Sequence, residues 1–128
     1  MKRTKEKKAL TMLKIYTYKS CSTCRKAVAH LIRAGKPFDE VPIRETPPTV
    51  EELKRMLTAL GGDMKALFNR SGQDYRALNL KDKLPTMSEA EALKLLSTNG
   101  NLVCRPFAFI GRNGVVGYDE EAWDAQLK

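Results

Sequence analysis

Hydrophobic periodicity changes along this 128-residue chain in an order that few folds accept. The stretch "MLKIYTY", residues 12 to 18, is rich in β-formers, and alternation puts Leu13, Ile15 and Thr17 on one face and Lys14, Tyr16 and Tyr18 on the other. Two tyrosines beside a lysine suit a strand partly covered on both sides. From Ser22 to Ala34 the period becomes helical, with Cys24, Ala27, Val28, Leu31 and Ile32 on one stripe and Gly35 as a stop. "PFDEVPI", residues 37 to 43, reads as a second strand, and its two prolines argue for a sheet edge.

A helical block follows. Thr49 and Glu52 stand in capping-box spacing ahead of Val50, Leu53, Met56, Leu57 and Leu60, with a glycine pair at 61 and 62. "DMKALFN" and "QDYRALNL" read as short helical pieces, and Ser88 with Glu91 opens another helix carrying Ala90, Leu93, Leu95 and Leu96 up to Gly100. Strands return at "LVCRPFAFI", residues 102 to 110, interrupted by Pro106, and at "NGVVGY", where Asn113-Gly114 reads as the turn of a hairpin. "DEEAWDAQLK" closes as a helix with acids in its first turn. The sequence β-α-β, helical block, β-β-α is that of an α/β thioredoxin-like (glutaredoxin-like) fold with helices inserted at about 46–100.

An apolar share of 42% suffices for one core, and residues 12–128 are expected to form one domain. No apolar run is long enough to span a bilayer, and no apolar stretch follows the charged N-terminus as a secretory signal requires. Three cysteines, two of them in C-x-x-C, do not make the disulfide framework of a small secreted domain. These features point to a soluble cytoplasmic protein that meets no membrane. Half of the net charge of +8 sits in "MKRTKEKK", where five basic side chains face Glu6 alone. Residues 1–11 read as a flexible, solvated tail ahead of Met12, which stands where the first strand begins. The remaining charge is ordinary, so no direct contact with nucleic acid is expected.

Cys21 lies in the loop leaving the first strand, just before the first helix. A thiolate there meets unpaired backbone N–H groups and the positive end of the helix macrodipole, with Arg25 and Lys26 about a turn away. Cys24, one turn on, falls on the apolar stripe. An exposed attacking thiol beside a shielded resolving thiol is what dithiol exchange uses. Two other readings stand beside it: a zinc site, for which only Cys104 and His30 remain as further ligands, and a pair of inert core thiols. His30 reads as a surface or packing histidine. Arg105-Pro106 is the second constellation: a cis X-Pro bond would end the ladder, and since in thioredoxin-like folds such a proline faces the first cysteine, Arg105 would set a guanidinium near Cys21; the other reading is a strand-edge proline beside a solvated arginine. Cys104 is expected to point away from Arg105 and to be buried.

The segments "CSTCRKA", "LFNRSGQDYRALNL", "LVCRPF" and "VGYDEEAW" together resemble the arsenate reductase (ArsC-like) and Spx-type family over about residues 12 to 127. The resemblance implies one of two activities. Glutaredoxin-coupled arsenate reductases attack arsenate with a cysteine at the start of helix one, hold the oxyanion with arginines, and are regenerated by an external thiol reductant, with no bound cofactor and no metal. Spx-type regulators bind the RNA polymerase α subunit and use C-x-x-C as a disulfide switch; they carry a tail beyond their last helix, whereas this chain stops at Lys128. Carried over, Cys21 matches the attacking cysteine, Cys24 the second thiol of the redox disulfide, and Arg105 the arginine before the proline. Substrate contacts would come from Arg105, Pro106, Arg70, Ser22 and Thr23. The arginine-bearing position of the insert falls near Asn69, one step from Arg70, and the arginine expected after strand four is met by Gly117 or Tyr118. The first expectation is an arsenate reductase-like thiol-disulfide oxidoreductase, served by glutathione with glutaredoxin or by thioredoxin; the second is an Spx-type regulator.

Overall fold

The computed structural model describes residues 13–127, so the basic segment 1–11 and Met12 lie outside the described residues. Four strands, β1 (Leu13–Thr17), β2 (Asp39–Pro42), β3 (Phe107–Ile110) and β4 (Asn113–Val116), form one sheet in the order β2-β1-β3-β4. β1 pairs parallel with β2 and antiparallel with β3, which pairs antiparallel with β4. Among the described residues six α-helices accompany them: α1 (Ser22–Arg33), α2 (Val50–Ala59), α3 (Gln73–Ala77), α4 (Leu80–Lys83), α5 (Glu89–Thr98) and α6 (Glu120–Leu127). This is the thioredoxin-like arrangement, with β2 on the edge that its prolines foretold.

Strand alternation sorts the core into two layers. Leu13 and Ile15 of β1 and Ala108 of β3 pack with Ala27, Val28 and Leu31 of α1 and Trp123 of α6. Tyr16, Phe107 and Phe109 face the other way, into a larger cluster with Leu53, Met56 and Leu57 of α2 and Leu93 and Leu96 of α5. Covering both faces explains why β1 carries apolar and aromatic residues on each side.

The helix boundaries follow local chemistry. Thr49 Oγ1 accepts the Glu52 N–H at 3.1 Å while the Glu52 carboxylate accepts the Thr49 N–H at 3.1 Å, and Ser88 and Glu91 repeat the reciprocal pair at the same distances. α1 ends in a Schellman motif, with Gly35 at φ +67° donating to the Ile32 carbonyl and Lys36 donating to that of Leu31. Gly61 and Gly62 close α2 in the same way, on the carbonyls of Thr58 and Leu57.

Three local expectations are corrected. The apolar run 102–110 is not one strand: Gly100–Leu102 is a 3-10 turn, Val103 makes an isolated bridge to Phe68, and β3 begins only after Pro106, which has no N–H to give a ladder. The hairpin turns at Gly111-Arg112 rather than at Asn113-Gly114; Gly111 supplies the positive φ of +62° that the first position of a two-residue turn takes, and Asn113 already pairs with Ile110. The short helical piece expected in "DMKALFN" is present, as a 3-10 helix over Met64–Leu67. On the helix stripes Val50 is exposed, and Ala92 is buried where Ala90 had been expected to be.

Candidate functional site

The register Tyr16↔Phe107 sets the residues that follow β1 beside those that precede β3. The loop carrying Cys21 and the segment carrying Cys104-Arg105 therefore meet at one end of the sheet. Cys21 is the N-cap of α1: it keeps extended backbone (φ −90°, ψ 112°), and its Sγ accepts the Cys24 N–H at 3.2 Å. A sulfur thus fills the place that a serine or aspartate oxygen usually holds. Cys21 is half-buried and Cys24 fully buried, the asymmetry expected of the pair. Burial, reinforced by the bond and charge of Cys21, pushes the Cys24 thiol up to about 12.

A cleft of about 730 Å³ opens over Cys21. One wall is the start of α1 with Ser22 and Thr23; the other brings Asn69, Arg70 and Ser71 together with Cys104 and Arg105, and Tyr18 and Phe68 also line it. None of its lining residues is acidic, while two are arginines. Arg70 therefore reaches the cleft although it stands one step from the expected position, and the expectation of a guanidinium after strand four is not met. Gly117 instead donates its N–H to the Pro106 carbonyl at 2.8 Å and accepts from Trp123 Nε1 at 3.1 Å. The Arg105-Pro106 peptide is cis. Pro106 is buried and is not among the residues lining the cleft.

Arg105 lies over the ring of Tyr18 at 5.1 Å, and Arg44 lies over the same ring at 4.9 Å while donating to Tyr18 Oη at 2.7 Å. Arg105 Nη1 is buried and makes no hydrogen bond within the protein. A buried guanidinium nitrogen without an acceptor is costly. Arg25, by contrast, is taken by Glu40 at 2.7 Å and does not line the cleft.

Cys104 overturns the expectation that it points away from Arg105. It lines the same cleft as Cys21 and Arg105, because residues before Pro106 are not in a strand and period-2 alternation does not extend across it. Burial raises its thiol, the Cys21 charge adds to that, and the guanidiniums of Arg70 and Arg105 oppose it. Cys104 is the site residue that sequence reasoning misplaced, its signal being the proline two residues on; Tyr18 keeps the Tyr16 face expected of it, and its place in the cleft was missed.

His30 is a packing residue: buried on α1, its Nδ1 bonds Tyr118 Oη and its Nε2 bonds Asp124 Oδ1, each at 2.7 Å. Among the described residues no group of three or more His, Cys, Asp or Glu side chains is placed to hold a metal ion, and no helix is long and apolar enough to cross a membrane.

Comparison with known proteins agrees with this geometry. Residues 16–126 match the model of the ArsC family. The chain is 46% identical to the uncharacterized protein YusI of Bacillus subtilis (strain 168), over 88% of this chain and 95% of that protein. It is 32% identical to the global transcriptional regulator Spx of Enterococcus faecalis (strain ATCC 700802 / V583), over 86% of this chain and 82% of the regulator. In three dimensions it superposes with a TM-score of 0.81 on the crystal structure of a possible arsenate reductase from Streptococcus mutans UA159, at 40% identity over 89% of this chain and 98% of that one. The family model spans most of the chain and the relatives match along nearly all of it, so the chain belongs to the ArsC family.

Proposed function

We propose that the protein is a cytoplasmic thiol-disulfide oxidoreductase of the arsenate reductase type. The reading is carried by one observation: a half-buried Cys21 caps α1 beside a fully buried Cys24, under a cleft whose Arg105 presents a buried, unpartnered guanidinium nitrogen. Cys21 attacks an oxidised, anionic substrate in the cleft. Arg105, Arg70 and the backbone at Ser22 and Thr23 hold the negative charge. Cys24 then displaces the adduct from Cys21, giving a Cys21–Cys24 disulfide, and an external thiol reductant, glutathione with glutaredoxin or thioredoxin, restores both thiols. Arsenate is the substrate to test first, given the likeness to the Streptococcus mutans protein.

NADPH-coupled turnover of arsenate with either reductant tests this directly. Cys21→Ser should abolish turnover, and Cys24→Ser should leave adduct formation intact while slowing resolution. Turnover that survives in Cys21→Ser overturns the assignment.

A second reading has its own support in the likeness to Spx. On that reading the same thiol pair is a switch, and the protein binds the RNA polymerase α subunit in one redox state. Capture of the purified α subunit by oxidised or reduced protein, together with a readily formed Cys21–Cys24 disulfide and no arsenate turnover, would favour it; no capture in either state removes it.

A further inference from the structure

Cys104 is a nucleophilic side chain that neither step above uses, yet it stands in the wall of the cleft over Cys21. Its position is fixed from both sides. The Cys104 N–H bonds the Leu67 carbonyl at 2.8 Å, Val103 bridges Phe68, and the Asn69 N–H bonds the Leu102 carbonyl at 2.7 Å. These bonds tie the segment bearing Cys104 and Arg105 to the one bearing Arg70, so the third thiol and both guanidiniums share one wall. Cys24 occupies a different place, fully buried within α1 and outside the cleft.

We propose that Cys104 is a second resolving thiol, able to displace a mixed disulfide from Cys21 across the cleft and leave a Cys21–Cys104 disulfide. The proposal rests on Cys21 being the attacking thiol. With glutathione disulfide as the oxidant, the Cys21 thiolate attacks one sulfur, forming the Cys21–glutathione bond and releasing one glutathione thiolate. Cys104 then attacks Cys21 Sγ, forming the Cys21–Cys104 bond and releasing the second glutathione. The two protein sulfurs are oxidised and one disulfide is reduced; the Cys104 proton goes to one released glutathione and solvent protonates the other.

The electrostatics supply an order for these events. Burial is the main influence that raises the Cys104 thiol and a charged Cys21 adds to it, while Arg70 and Arg105 favour the thiolate. Once Cys21 carries a covalent adduct its charge is gone, so burial alone is left to oppose the two guanidiniums. Cys104 therefore ionises more readily after Cys21 has reacted than before.

The test is a peptide map of reduced Cys24→Ala protein treated with glutathione disulfide, with remaining thiols alkylated in acid-quenched samples. The expected result is a transient glutathione adduct on Cys21 that gives way to a Cys21–Cys104 linked peptide, whereas the adduct accumulates in Cys24→Ala/Cys104→Ala. A persistent adduct in Cys24→Ala, with Cys104 fully alkylated, overturns the proposal. If Cys24→Ala does not fold, Cys104→Ser in the otherwise native chain should slow release of the second glutathione by about twofold or more; an unchanged rate overturns it. Absence of any adduct on Cys21 in the native chain overturns the reading of Cys21 itself and this proposal with it.

Discussion

Arg105 is the residue on which the anion preference proposed for the cleft turns. Its guanidinium lies over the Tyr18 ring, as does that of Arg44, which also donates to the Tyr18 hydroxyl. The ring contact leaves Arg105 Nη1 buried and without an acceptor. A charge-assisted bond to a ligand is worth about 1.5–3 kcal/mol, so Arg105→Gln should slow the reaction of Cys21 with an anionic aromatic disulfide by about 10-fold to 100-fold. The neutral disulfide of 2-mercaptoethanol should lose much less, since it offers no charge to the guanidinium. Paired rate measurements at low salt decide this: an equal loss with both disulfides would mean that Arg105 only shapes the cleft.

Between residues and the whole, the capping boxes join elements as well as ending them. Glu52 accepts the Thr49 N–H and also takes Lys14 Nζ at 2.9 Å and Tyr16 Oη at 2.6 Å, so the cap of α2 is bolted to β1. Burial pushes the Glu52 carboxyl up, but these three donors outweigh it and hold it below the usual carboxylate range. Burial and the same carboxylate raise the Tyr16 hydroxyl to about 12. A group whose folded pKa is depressed stabilises the fold above its unfolded pKa and loses that contribution as pH falls through the folded one. Glu52→Gln should therefore cost about 1–3 kcal/mol in urea unfolding at neutral pH, and the gap to the native protein should close as pH drops through the carboxylate range; a gap independent of pH would refute the ionic role. The Thr49 and Ser88 boxes, the glycine stops and the strand-to-helix step at Cys21 were all legible in the sequence, because each is set by neighbours within a turn of chain. The 3-10 turn at Gly100–Leu102, the place of the hairpin turn and the facing of Cys104 were not. The facing of Cys104 depends on partners far along the chain, since Leu67 bonds Cys104 and Phe68 bridges Val103, whereas the hairpin turn follows the positive φ of Gly111 and the β3–β4 register.

On the scale of the molecule, the sheet separates two apolar layers, and the helical segment between β2 and β3 must come close to the backbone that follows β2 for the cleft to form. Gly100 is where it does so. A Cβ built there would lie 1.9 Å from the Ile43 carbonyl oxygen and 2.7 Å from its carbon, both backbone atoms that cannot rotate away. Gly114 makes another close approach, where a Cβ would meet Met56 Sδ at 2.6 Å, part of a flexible side chain. The two glycines are therefore not equivalent. Gly100→Ala should cost about 3 kcal/mol or more in urea unfolding, at the upper end of overpacking effects, and Gly114→Ala about 1 kcal/mol or less. Gly100 also opens the turn that leads to Cys104 and Arg105, so its substitution should slow the reaction of Cys21 with anionic disulfides, while Gly114→Ala leaves that rate unchanged. Equal stability losses for the two variants would mean that the loop after β2 yields freely. The cleft would then not depend on the close seating of the helical segment against it.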